Sequence, residues 1–315
     1  MKTKAVKNSD TQSIINRKIL DYKRNWSVFI LLVPGIIYYI VFCYVPLYGV
    51  TIAFKDYSLT KGVIGSSWVG FKYFKMAFAS NDFWNAFANT FIISFLKLIF
   101  SFPAPILLAL LLNEVTNMPF KKVVQTISYM PHFLSWVVLS GVIISFLSPS
   151  GGPVNLILRQ LGHEPIFFVA DNKWFRPLLV VSSIWKEIGW SSIVYLAALN
   201  SVDVALYDAA KIDGAGKFKQ ILHVTLPSIR SAITVMFIFA VGAIVNDDFD
   251  QIYNLYNPAV YKTGEVISTY IYKIGMEGMQ YSLATAIGLF KNIIALVLLV
   301  GTNYLCKAFD EYALW

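Results

Sequence analysis

Residues 27–50 read SVFILLVPGIIYYIVFCYVPLYGV, an apolar run without a single Asp, Glu, Lys or Arg. A helix needs about 20 such residues to cross roughly 30 Å of hydrocarbon. Lipid offers no partner to a backbone N–H or C=O, so a run of this length reads as a membrane-spanning helix. The whole chain of 315 residues agrees with that reading. Hydrophobic residues make up 57% and charged residues 14%, with a mean hydropathy of +0.60. A water-soluble chain carries roughly a quarter charged residues.

Working outward, comparable runs place six spans at 27–49, 85–113, 123–147, 176–199, 228–248 and 283–306. The expectation is an all-α integral membrane protein: a polar arm over residues 1–25, then one transmembrane domain over 26–315. The first run is too long for a signal peptide, follows that polar arm, and lacks a small-residue cleavage site. Pro103 and Pro105 are expected to kink the second span, because proline removes a helix hydrogen bond. The stretch Ser148-Pro149-Ser150-Gly151-Gly152-Pro153 reads as a turn after the third. Between the first two lies a polar loop with aromatics, among them Tyr57, Trp68, Phe71 and Phe74. No internal repeat is evident.

The net charge of +8 reflects loop bias and calls for no nucleic acid. The N-terminal arm, the connections at 121–122 and 211–230, and Lys307 carry fourteen Lys and Arg; the opposite connections carry nine. Basic residues collect on the cytoplasmic side, so both termini are expected in the cytoplasm. Cys43 and Cys306 lie in apolar segments and read as packing residues. His132, His163 and His223 are scattered, so neither a metal site nor a catalytic constellation is expected. There is no GxxxxGK[ST] phosphate loop.

The connection between spans four and five, about 200–227, is the informative one. Ala205, Leu206, Ala209 and Ile212 recur at helical spacing. Gly214 and Gly216 are expected to end that short amphipathic helix. A second helix over about 217–225 stops near Pro227. The result is a helix-turn-helix on the membrane surface with an apolar stripe open to a partner.

This stretch resembles the "EAA" coupling loop of ABC importer permeases. That pattern is Glu-Ala-Ala, three residues, Gly, nine residues, an apolar residue, one more, then Leu-Pro. Here stand Asp208-Ala209-Ala210, Gly214, Val224 and Leu226-Pro227; Asp208 replaces the family's Glu, keeping the charge on a shorter side chain. The resemblance extends over nearly the whole chain. Trp68-Val69-Gly70-Phe71-Lys72-Tyr73-Phe74, Asn89-Thr90 and Tyr129-Met130-Pro131 look like the sugar branch of the family. Asn257-Pro258-Ala259-Val260 and Ser282-Leu283-Ala284-Thr285-Ala286 resemble its polysaccharide-type members, LplB-like and alginate-type.

The resemblance implies a MetI-like fold and a non-enzymatic permease subunit. Its implied partners are a second permease, a cytoplasmic ATPase pair holding ATP and Mg, an external solute-binding protein and an oligosaccharide cargo. Asp208, Ala209, Ala210, Gly214, Leu226 and Pro227 would contact the ATPase. Family sugar contacts fall on spans four and five, at positions matching Lys186, Glu187 and Trp190, and near Asn246 and Asp247. Aromatic faces and carboxylates suit sugars. The competing reading is an ion pair with the partner permease for the first group, and a solvated helix end for the second. Lys97 and Lys291, alone on apolar backgrounds, are expected to snorkel or to pair across subunits. The rival functions are a stand-alone secondary transporter, which would show repeats or interrupted helices around a midplane site, and a permease for a non-sugar solute.

Overall fold

The computed structural model describes residues 26–245 and 248–309. The N-terminal arm, Asn246, Asp247 and the last six residues lie outside that range. Among the described residues, three helices are long and apolar enough to cross a membrane: Trp26–Phe54, Asn81–Glu114 and Tyr281–Ala308. Three bent pairs complete the six: Met118–Phe133 with Trp136–Phe146, Asn172–Asn200 with Val204–Ile212, and Lys217–Ser228 with Arg230–Gly242.

Polar residues start the helices where the apolar runs begin. Ser80 accepts from the Phe83 N–H, Asn117 from Phe120, Ser135 from Val138 and Asp171 from Lys173. Each satisfies one of the donors that a helix N-terminus leaves unpaired. The second span is interrupted at Ser101 and Phe102, whose N–H groups both reach the Lys97 carbonyl. Helix resumes at Pro103, where a missing N–H costs nothing.

The third expected span, 123–147, is not one helix. Met118–Phe133 and Trp136–Phe146 meet at 107°, because Leu134 and Ser135 are extended and Pro131 stands in the turn just before them. The fifth differs as well. Its helix, Arg230–Gly242, follows a 67° bend from Lys217–Ser228 and ends short of the expected 248.

Three core clusters hold the bundle. One gathers Phe83, Ala86, Ile267, Leu283 and Ile287; another, Ile93, Phe175, Leu179 and Ile252. The third, Ala109, Leu112, Tyr195, Leu196 and Ile229, lies towards the 200–227 connection. The first helix stands apart, exposed along residues 26–47, as befits apolar surface facing lipid. Arg176 knots the opposite end of the molecule. Its guanidinium donates to Asn89 Oδ1 at 2.7 Å and the Thr263 carbonyl at 3.1 Å. Asn89 Nδ2 in turn donates to the Lys262 and Glu265 carbonyls.

Gly189 marks the tightest crossing. A Cβ there would fall 2.1 Å from the Ser128 carbonyl oxygen, so the backbones of the two helices touch. Gly189→Ala should force them apart and cost about 1–3 kcal/mol. Thermal unfolding in lipid nanodiscs checks this, with Gly141→Ala as control, since nothing lies within 4 Å of a Cβ there.

Candidate translocation site

Lys186 lies at the middle of the Asn172–Asn200 helix, about 21 Å from either end at ~1.5 Å per residue. A charge at that depth costs roughly 2.5–3.5 kcal/mol in hydrocarbon. The side chain is 8% exposed, and its ammonium is fully engaged. Nζ donates to the carbonyls of Leu134 at 2.6 Å and His132 at 2.7 Å, with Pro131 at 3.4 Å. It also sits 5.6 Å over the Trp136 ring. These carbonyls belong to the broken end of the Met118–Phe133 helix, where intrahelical donors run out. Lys186, expected against cargo, is instead the cap of that break.

The cap sets the neighbours of Glu187 and Trp190. His132, just past the break, has Nδ1 at 2.9 Å from Glu187 Oε2. Its ring stacks on Trp190 with centroids 4.5 Å apart and planes 3° from parallel. Phe133 meets the same indole edge-on at 5.5 Å. Glu187 and Trp190, about a helical turn apart, are thus joined through His132, to which sequence reasoning gave no role. A signal did exist in the Tyr129-Met130-Pro131 stretch immediately before it. Trp190 remains 43% exposed, so part of its ring surface is open. A carboxylate, an imidazole and a flat indole together can accept hydroxyl protons and cover an apolar ring face.

A second polar region adjoins it. Ser94, Lys97, Ser101, Phe102, Ser183 and Asp248 line a cavity of about 240 Å³. Ser183 is four residues before Glu187, so the two regions follow one another along the same helix. Lys97, expected to snorkel or to pair across subunits, is engaged within the chain: Nζ donates at 2.5 Å to both Asp248 Oδ2 and Gln251 Oε1. Gln251 Nε2 then donates to the Leu179 carbonyl and to Ser182 Oγ. The pairing draws the segment after the fifth span against the second and fourth. Lys291, the other cation left without a role, donates to Ser268 Oγ. Asn246 and Asp247 lie outside the described residues; their neighbour Asp248 stands at the cavity wall. Among the described residues, no group of three or more His, Cys, Asp or Glu could hold a metal ion.

At the other end, the 200–227 connection folds as the spacing indicates. Asp203 caps the Val204–Ile212 helix. Gly214 ends it at φ +76°, with the Ala215 N–H bonded to the Ala210 carbonyl and the Gly214 N–H to that of Lys211. This is the glycine-terminated helix end that a left-handed residue permits. Tyr207 Oη lies 3.1 Å from Thr225 Oγ1, and Lys217 pairs with Glu114 of the second span at 2.6 Å. The loop is braced from within, yet its apolar surface is open. Ile212 is 88% and Phe218 78% exposed.

A multi-pass helical domain, with a half-open polar path at mid-depth and a braced two-helix lever at one end, is a transport permease. Residues 101–311 match the family of binding-protein-dependent transport system inner membrane components, and the chain belongs to that family. It is 44% identical to Protein LplB of Bacillus subtilis (strain 168), covering 93% of this chain and 92% of that one. Identity is 43% to the polygalacturonan/rhamnogalacturonan transport system permease protein YteP of the same organism, over 91% and 90%. The fold matches a chain in the crystal structure of a bacterial ABC transporter that imports the acidic polysaccharide alginate, with a TM-score of 0.86 and 42% identity. That match covers 93% of this chain and 99% of the other.

Removing the cap at Lys186 should disturb the whole cluster. Lys186→Met leaves the turn carbonyls without their donor and should cost about 2–3 kcal/mol, read as a lower unfolding midpoint in nanodiscs. The midpoint should recover in Lys186→Arg, which restores donors to the same carbonyls.

Proposed function

We propose that this chain is one half of the pore of an ATP-driven importer that moves an oligosaccharide delivered by an external solute-binding protein. The observation that carries this reading is the half-buried carboxylate–imidazole–indole cluster Glu187–His132–Trp190, beside the Lys97–Asp248 cavity at mid-depth. Flat rings and hydrogen-bonding groups at one wall are what sugars require. The relatives' carbohydrate substrates support the same cargo class. Trp190 stacks on a sugar ring, Glu187 accepts from its hydroxyls, and Lys186 holds the wall in place.

ATP and Mg are held by a partner ATPase pair, which docks on the cytoplasmic lever. The exposed apolar residues Ile212 and Phe218, with Asp208, Ala209 and Ala210 on the first short helix and Leu226-Pro227 behind the second, make up the docking surface. Closure of the ATPases moves the lever as a rigid piece. The Lys217–Glu114 pair and the bend after Ser228 carry that movement into the second and fifth spans. A second permease completes the pore, and both termini face the cytoplasm.

Gly214→Val tests the lever. A β-branched side chain at φ +76° is strained by roughly 1–2 kcal/mol. The variant should insert normally yet lose sugar-stimulated ATP hydrolysis and uptake in vesicles; native rates would remove the coupling assignment. The site is tested by Trp190→Ala and Glu187→Gln, each expected to slow uptake about tenfold and to lower uptake per ATP consumed. Orientation is read from single cysteines at Lys217 and Lys262 in intact cells. An impermeant reagent should label the second and spare the first.

A further inference from the structure

Beyond the mid-depth path, the segment that follows Asp248 carries an aromatic array. Phe249 and Tyr253 stack at 5.1 Å, and Tyr272 meets both, at 5.5 and 5.0 Å. Tyr253 contacts Tyr256 at 6.0 Å, and Tyr256 contacts Tyr261 at 5.0 Å. Only Tyr256 of these five flanks a core cluster among the described residues. The others are not needed to fill one, and Tyr253 keeps 38% of its surface exposed. Beside them lies a cavity of about 320 Å³, lined by Phe249, Tyr272, Tyr281, Ser268 and Thr285.

The placement gives this array a direction. Helices 172–200 and 230–242 lead away from the lever, and residues 249–277 pack against the half of the bundle remote from it, with Gln251 on Leu179 and Asn172 on Ala259. Asp248 lines the Lys97 cavity, and Phe249, the next residue, lines the outer one. The two cavities are therefore consecutive along the chain, the outer one walled by three rings, the hydroxyls of Ser268 and Thr285, and apolar surface from Ile271, Met276 and Ala284. Tyrosine presents an apolar face with a polar tip, and pyranose presents the complementary surface: a C–H face rimmed by hydroxyls. Neighbouring rings lie 5–6 Å apart, Phe249 and Tyr253 stacked and Tyr272 edge-on to Tyr253, so the array offers a glycan chain its outer ring faces, ring edges and hydroxyls.

We propose that Phe249, Tyr253, Tyr272 and Tyr281 form an outer carbohydrate subsite, a stacking track that guides a glycan chain into the Lys97 cavity. The occupant is a pyranose chain of several units, so the inference rests on the carbohydrate reading above. Its signature is dependence on chain length: a pentasaccharide spans track and inner cavity together, whereas a disaccharide occupies one at a time.

The test uses the complete transporter in vesicles, with binding protein, both permeases and the ATPases. Initial uptake is compared for a disaccharide and a pentasaccharide from the alginate and polygalacturonate series. Tyr253→Leu and Tyr272→Leu should each lower pentasaccharide uptake about twofold to tenfold, the loss of one ring-stacking contact, and disaccharide uptake less. Tyr253→Phe, which keeps the ring, should recover most of the lost rate. Two outcomes would overturn the track while leaving the carbohydrate reading intact. One is equal loss for both lengths together with a lower unfolding midpoint, the mark of rings that merely pack. The other is unchanged pentasaccharide uptake in both Leu variants. A parent that imports neither series would take down the carbohydrate reading, and the track with it.

Discussion

In hydrocarbon a backbone carbonyl has no water to turn to, so every departure from straight helix needs a side chain to satisfy the groups it frees. Lys186 meets that need at the sharpest of the three helix bends among the described residues. Its ammonium takes the carbonyls of His132 and Leu134 and allows a 107° bend at mid-depth. The bend turns His132 and Phe133 onto Trp190. Without that capped break the third span would run past the fourth, and the cluster beside Glu187 would not exist. One buried cation thereby does structural work whose product is the polar surface that begins at the next residue, Glu187.

The same economy of charge recurs elsewhere. Lys97 is satisfied by Asp248 and Gln251, and Gln251 by the backbone of the fourth span. Arg176 and Asn89 close the outer end through three loop carbonyls. Each of these side chains pairs across elements distant in sequence, so each ties one helix to another where apolar contact with lipid would serve equally well. Polar bonds thus specify the arrangement that hydrophobicity alone leaves open in a membrane. The Lys97–Asp248 pair borders a cavity, whereas at Gly189 the helix backbones touch.

The lever follows a different logic. It lies outside the bundle, where backbone groups are met by water or by each other. Its shape is therefore locally encoded. Asp203 starts the first helix, Gly214 ends it, and the Tyr207–Thr225 contact folds the second helix back on it. Ile212 and Phe218 stay exposed on this braced piece.

Much of this was legible from residues alone. Charge-free runs, capping residues and the glycine after Ile212 act within a few positions of themselves, which is why the class, the six crossings and the two-helix lever could be read directly. Glu187 and Trp190 were visible because polar and aromatic groups inside an apolar run demand a reason. The partner of each buried charge was not visible. Lys186 looked like a cargo contact, Lys97 looked unattended and His132 looked incidental, because their partners lie 52 to 154 residues away along the chain. Hydropathy reports that a charge is buried and says nothing about which distant carbonyl or carboxylate it meets. Only the packed helices decide that, since a hydrogen bond forms within about 3 Å and sequence separation carries no such distance.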